Sequence, residues 1–131
     1  MLSNLINAGL YFILTTVVIL VAILIFDLCT KYKIWSEINN GNMAVAFATG
    51  GIAFGVANIM RSAIMANDKL LDTVIWGGVG TLALIIVYLA FEILTPKLNV
   101  SEEIGKGNKA VGFISLVFSV AFSVIIGASI S

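Results

Sequence analysis

A chain of 131 residues is long enough for one domain, but 60% apolar and 11% charged residues are too few charges to clothe a soluble globule, which carries roughly 25%. Seven basic and seven acidic residues leave no positive surplus to neutralise phosphates, so nucleic-acid binding has no electrostatic basis. With no histidine and a single cysteine, Cys29, neither a disulfide framework within the chain nor a zinc cluster is expected.

Four apolar runs follow in chain order. Each is about 20 residues, the length a helix needs to cross a hydrocarbon core roughly 30 Å thick. The first extends from Leu5 to Phe26. The preceding MLSNLINAG has no lysine or arginine, the run is too long for a signal-peptide core, and no A-x-A site follows, so it reads as a retained helix. After it, Tyr32, Ile34, Trp35 and Ile38 form a short amphipathic stretch expected to lie in the membrane interface. The second run spans Met43 to Ile64 and the third Thr73 to Leu94. Gly77, Gly78 and Gly80 in the third allow close packing or a bend, and Pro96 stops it. The fourth spans Ala110 to Ile130. The fold class is therefore an all-α integral membrane protein with four transmembrane helices. Loops one and three carry Lys31, Lys33, Lys97, Lys106 and Lys109, against Arg61 and Lys69 around the middle connection. The positive-inside bias puts those two loops in the cytoplasm and both termini outside.

The chain also resembles itself. Glu37–Phe47 (EINNGNMAVAF) aligns with Glu103–Phe113 (EIGKGNKAVGF) at an offset of 66, since 103 − 37 = 66, and Phe26–Thr30 (FDLCT) aligns with Phe91–Thr95 (FEILT) at 65. One transmembrane domain, residues 1–131, thus divides into two helix–loop–helix repeats, about 1–65 and 66–131. Two spans separate the copies, so both enter the membrane in the same direction, a parallel repeat expected to obey a pseudo-twofold along the membrane normal. The paired aromatic–acid, threonine and G-N-x-A-V pattern resembles the YjfL-like bacterial inner-membrane proteins, a family of unknown function with four spans in two repeats. The resemblance covers essentially the whole chain. It implies a multi-pass protein of the bacterial cytoplasmic membrane with both termini outside, and brings no catalytic or binding residues.

Residues present in both copies are the first candidates for a role. Asp27 and Glu92 are equivalent acids at the loop ends of the first and third spans; they read either as a pair lining a cation mouth or as carboxylates hydrated at headgroup level. Glu37, Gly41 and Asn42, repeated as Glu103, Gly107 and Asn108, read as a glycine turn and an asparagine cap that start the second and fourth spans, with the glutamates as alternative contacts for a cytoplasmic partner. In the second span Ala44, Ala48, Gly51, Gly55, Asn58 and Ser62 share one small-residue face containing a G-x-x-x-G pair. A second face, Ala46, Thr49, Ala53 and Ala57, is matched in the fourth span by Gly112, Ser115, Ser119 and Ser123. The matched face is expected to pack the two halves together, leaving the first free for another subunit in a homo-oligomer. Arg61 is expected to snorkel to the outer interface, alone or paired with Asp68 or Asp72.

No phosphate-binding loop, H-E-x-x-H or G-x-S-x-G occurs, Cys29 is unmatched in the second copy, and no enzyme or cofactor is expected. Two functions remain. One is an oligomer conducting ions or small solutes. The alternative is a non-conducting scaffold or accessory subunit that recruits a cytoplasmic protein through residues such as Trp35 and Lys106.

Overall fold

Lipid offers the backbone no hydrogen-bond partner, so an apolar run must pair its own amides, and a helix does this within one segment. The computed structural model describes all residues from Met1 to Ser131 and contains helices only. They are α1 (Leu2–Cys29), α2 (Ile34–Asn39), α3 (Met43–Ala66), α4 (Leu70–Leu94), α5 (Val100–Gly105) and α6 (Lys109–Ile130). Four of them, α1, α3, α4 and α6, are long and apolar enough to cross a membrane. Each half is a long helix, a short helix and a long helix.

The same corner leads into α3 and α6. The short helix ends at a glycine in the left-handed region, Gly41 (φ 86°) or Gly107 (φ 90°), where a side chain would be strained. The next residue caps the span: Asn42 Oδ1 accepts from the Val45 amide at 3.2 Å and Asn108 Oδ1 from the Val111 amide at 3.3 Å. The asparagine amide in turn donates to the preceding glutamate, Asn42 to Glu37 at 3.2 Å and Asn108 to Glu103 at 3.1 Å. Glu37 and Glu103 are thereby tied into the corner. At the other end of the bundle, Asn67 donates from Nδ2 to the Ala63 carbonyl at 2.8 Å and closes α3 before the short turn to α4.

The centre of the bundle is α3. It is the least apolar of the four spans and the most deeply buried, as a helix screened from lipid by its neighbours can be. Its sides are divided among three partners. Ala44, Ala48, Gly51 and Gly55 meet α6, while Val45, Ile52, Val56, Ile59 and Met60 meet α1 and α4. The α3–α6 seam is parallel, since Ala44 abuts Gly112 and Ser62 abuts Gly127. It is also close. A Cβ at Gly51 would stand 2.7 Å from Leu116 Cα, and one at Gly112 would stand 2.6 Å from Ala44 Cα. Across the α3–α6 groove lies α4, with Gly77 against Met60, Gly80 against Ile59 and Ile126, and Leu84 against Gly55. By contrast, α1 is peripheral: it packs on α3 and α4 through Ala22, Ile23 and Phe26, and most of its surface faces outwards.

Two expectations are corrected by this packing. The face Ala44–Ala48–Gly51–Gly55 is not open to another subunit, because α6 covers it; close backbone approach within the chain is what its small residues allow. Nor are the halves related by a twofold. A twofold would bring the same face of α3 and α6 together, yet α3 presents Ala44, Gly51 and Gly55 while α6 presents Gly112, Ser119 and Ser123, which are the counterparts of Ala46, Ala53 and Ala57.

Candidate functional site

The polar residues inside the bundle fall along one line. On α4, Tyr88 and Glu92 are four residues apart and share a face; on α6, Ser115, Ser119 and Ser123 do the same. Tyr88 and the three serines are all buried. The turn after α1 adds Tyr32. Thr30 shapes that turn, its hydroxyl within 3.1 Å of the Asp27 carbonyl and 2.9 Å of the Tyr32 carbonyl. From below, α5 closes over the site: the Lys31 amide donates to Ser101 Oγ at 3.3 Å, and the Tyr32 ring lies against Gly105.

Tyr32 is thus 8% exposed and Ile34 fully buried, whereas Trp35 is 56% exposed. The stretch Tyr32–Ile38 was expected to lie in the membrane interface, but its first residues turn into the bundle and are covered by α5. Burial, reinforced by Tyr88 and Glu92 alongside, pushes the Tyr32 phenol far above its ordinary range. It stays a neutral hydroxyl that can both donate and accept a hydrogen bond.

The two equivalent acids have different surroundings. Asp27 is a structural acceptor: its Oδ1 takes the Ile34 amide at 3.0 Å and anchors the start of α2. Glu92 has no such partner, and its Oε1 is enclosed without a hydrogen bond. Glu92 lines a cleft of about 260 Å³ with Lys31, Asn99, Ser101 and Glu102. Asn99 sits at φ 49°, a left-handed conformation that asparagine tolerates, where the chain swings from Pro96 into α5.

From the cleft inwards, the Tyr88 hydroxyl neighbours those of Tyr32 and Ser115, and these three, with the hydroxyls of Ser119 and of Thr49 on α3, are buried with no hydrogen bond of good geometry. An unpaired polar atom away from water costs about 1–3 kcal/mol. The line ends where Asn58 Nδ2 donates to Ser123 Oγ at 3.3 Å, a hydrogen bond across the α3–α6 seam. Successive serines are about 6 Å apart along the axis at ~1.5 Å rise per residue, so a mobile proton or ion needs water between them. At Ser119 the walls are Leu84, Tyr88, Phe91, Phe118 and Phe122, with the Phe91 and Phe118 rings 4.5 Å apart between centroids and tilted by 35°. These rings form an apolar wall beside Ser119 between α4 and α6, and Phe118 reaches the outer face of the bundle.

The remaining candidates lie elsewhere. Ala44, Ala48, Gly51 and Gly55 build the seam, and Glu37, Gly41, Asn42, Glu103, Gly107 and Asn108 build the corners. Arg61 is exposed and pairs with neither Asp68 nor Asp72; the ion pair in the chain is Lys106–Glu102, 3.2 Å apart on the surface. Cys29 is exposed. Tyr88 was missed by sequence reasoning, although its place one turn before Glu92 marks it as sharing that acid's face.

The chain is similar in sequence to known proteins over nearly its whole length. The family described as a Domain of Unknown Function (DUF350) matches residues 1–130. The UPF0719 transmembrane protein YshE of Bacillus subtilis (strain 168) is 40% identical over 128 residues, covering 98% of this chain and 96% of that protein. No solved structure matches.

Proposed function

From the premise that the chain belongs to the DUF350 family, a family of multi-pass membrane proteins of unknown function, we propose that it moves protons or small monovalent cations across the membrane. The reading keeps the finer kinship with the YjfL-like proteins and the bacterial inner membrane as the setting. One observation carries it: a file of buried hydroxyls runs from the Glu92 cleft to the Ser123–Asn58 pair, with Tyr88 neighbouring Tyr32 and Ser115 and most members making no well-formed hydrogen bond to the rest of the bundle. An ionisable residue inside a membrane bundle commonly marks an ion or proton path, and Glu92 opens the file of hydroxyls here. In this reading Glu92 takes up the cation from the cytoplasmic cleft. The Tyr32 and Tyr88 hydroxyls line the way to Ser115 with water between them, and the apolar wall of Phe91, Phe118 and Phe122 beside Ser119 is the gate, opened by wetting.

The test is flux through proteoliposomes holding the purified protein. Glu92→Gln and Tyr88→Phe, each of nearly native shape, are expected to lower proton or potassium flux at least tenfold and to leave folding intact. Asp27→Asn should change stability more than flux, because Asp27 anchors α2. Absence of flux from folded wild-type protein would overturn the reading. The exposed Trp35 and the Lys106–Glu102 pair would then be the surfaces for a scaffold that recruits a cytoplasmic protein.

A further inference from the structure

The one residue by which the two copies differ in length falls in the loop beside Glu92. The first copy reads T-K-Y-K-I from Thr30 to Ile34, the second T-P-K-L-N-V from Thr95 to Val100, and across this loop the offset passes from 65 to 66. The consequence is geometric. In the first copy the short helix starts against the acid, and the Ile34 amide donates to Asp27 Oδ1 at 3.0 Å. In the second the chain enters α5 through Asn99 at φ 49°, and Glu92 Oε1 is enclosed without a hydrogen bond. Glu92 and Val100, the counterparts of Asp27 and Ile34, instead line the cleft of about 260 Å³. The fold therefore supplies one acid with an N–H donor and leaves the other to face a cleft without one.

The rest of the lining is complementary to Glu92. Lys31 lines the same cleft but forms no ion pair with it; the ion pair here is Glu102 with Lys106. The backbone of Lys31 is fixed by its amide, which donates to Ser101 Oγ at 3.3 Å. Ser101 is buried, and because it accepts that bond its own O–H proton is left to donate. The depth of the cleft is set by α4. Glu92 lies in the last turn of that span, with Ile93 on the cleft wall and Leu94 next to it, both exposed, as is Leu28 at the end of α1. A carboxylate, an ammonium and a hydroxyl donor thus meet at the edge of the apolar surface, where lipid headgroups lie.

We propose that this cleft binds the headgroup of a phospholipid bearing a primary ammonium, as phosphatidylethanolamine does. The ammonium donates to the Glu92 carboxylate as the Ile34 amide donates to Asp27. The phosphate accepts from Lys31 and from the Ser101 hydroxyl, and the acyl chains leave along Ile93 into the bilayer. A zwitterion answers both charges of the cleft at once, through charge-assisted hydrogen bonds at each end. A choline headgroup carries the same charges but has no N–H to donate, and a glycerol headgroup carries no cation. Binding does not depend on flux through the polar track. If the track conducts, the seated ammonium competes with the entering cation for Glu92.

Native mass spectrometry tests it, on protein released from bilayers holding equal parts of phosphatidylethanolamine, phosphatidylcholine and phosphatidylglycerol with the same acyl chains. One phosphatidylethanolamine per chain is expected to be retained, favoured roughly tenfold over phosphatidylcholine, the scale of one hydrogen bond to a charged group. Equal retention of the three lipids would overturn the proposal. Glu92→Gln should abolish the preference for ethanolamine over choline. Lys31→Gln lies on an exposed turn, so it reads the site even if Glu92→Gln unfolds the chain, and it should weaken retention of phosphatidylethanolamine roughly tenfold. Wild-type retention in a folded variant of either kind would also overturn the proposal. Water-soluble glycerophosphoethanolamine separates the lipid from a free headgroup: it should leave the bound lipid in place, and displacement at equal concentration would make the ligand a soluble zwitterion and refute the lipid site. Flux plays no part in these readouts, so a failure here and a failure of the proposed path are distinguishable.

Discussion

Asn42 and Asn108 show how one residue type in one motif comes to do unequal work. Both cap a span through Oδ1, but only Asn42 sends its amide across to the other half of the chain. Serine is as good a cap as asparagine and lacks the amide. Asn108→Ser therefore gives up its link to Glu103, whereas Asn42→Ser also gives up the bonds to Ile104 and Gly105. At about 1 kcal/mol for each net hydrogen bond lost, Asn42→Ser should be less stable than Asn108→Ser by about 1–2 kcal/mol in dispersed single chains. Thermal unfolding in detergent would measure this, and equal transitions would refute the cross-half role of Asn42. The same logic separates Asp27 from Glu92: alignment makes them equivalent, but the Ile34 amide occupies one carboxylate and nothing occupies the other.

At the scale of the element, closeness of the α3–α6 seam depends on which glycines lie in it. Gly50 and Gly51 are sequence neighbours with opposite surroundings. A Cβ on Gly50 meets nothing within 4 Å, whereas one on Gly51 comes within 2.7 Å of the Leu116 backbone. Backbone cannot swing aside as a side chain can. Gly51→Ala should then cost about 1–3 kcal/mol through forced separation of the helices, and Gly50→Ala should be neutral or slightly stabilising through its better helix propensity. Comparing the two variants in urea or by thermal melts checks the assignment; equal stabilities would mean the seam is looser than described. The four spans were legible in the sequence to within a few residues at each end, because lipid dictates both length and composition. The α5 helix was not, since VSEEIG is a single turn and a half with no long apolar period, and the burial of Tyr32 depends on α5 covering it. The seam was half legible. Small residues announced close packing, but α3 carries two such faces, and the repeat alone suggested that like would meet like. Only the packing shows that the halves dock through different faces.

Across the whole molecule, the polar features separate towards the two ends. The Glu92 cleft, the two glutamate–asparagine corners and Cys29 lie at the end of the short helices, while Asp68 and Lys69 lie in the opposite turn between α3 and α4. Five lysines against one arginine and one lysine are the ground for proposing that the short-helix end faces the cytoplasm. The direction of the proposed path follows from the same assignment, because Glu92 must then be loaded from inside the cell. The single native thiol makes this testable without altering the short-helix end. Cys29 is exposed beside the loop, so a membrane-impermeant maleimide should leave it unmodified in intact cells and label it in inverted vesicles. Asp68→Cys in a Cys29→Ser background should behave in the opposite way, labelled from outside and protected in inverted vesicles. Because α3 separates the two positions, the pair of results must be complementary in a four-span chain. The reverse pattern would place both termini in the cytoplasm and make Glu92 an acid that loads from outside. Labelling of both positions from one side would contradict a membrane crossing by α3, and with it the bundle on which the buried track depends.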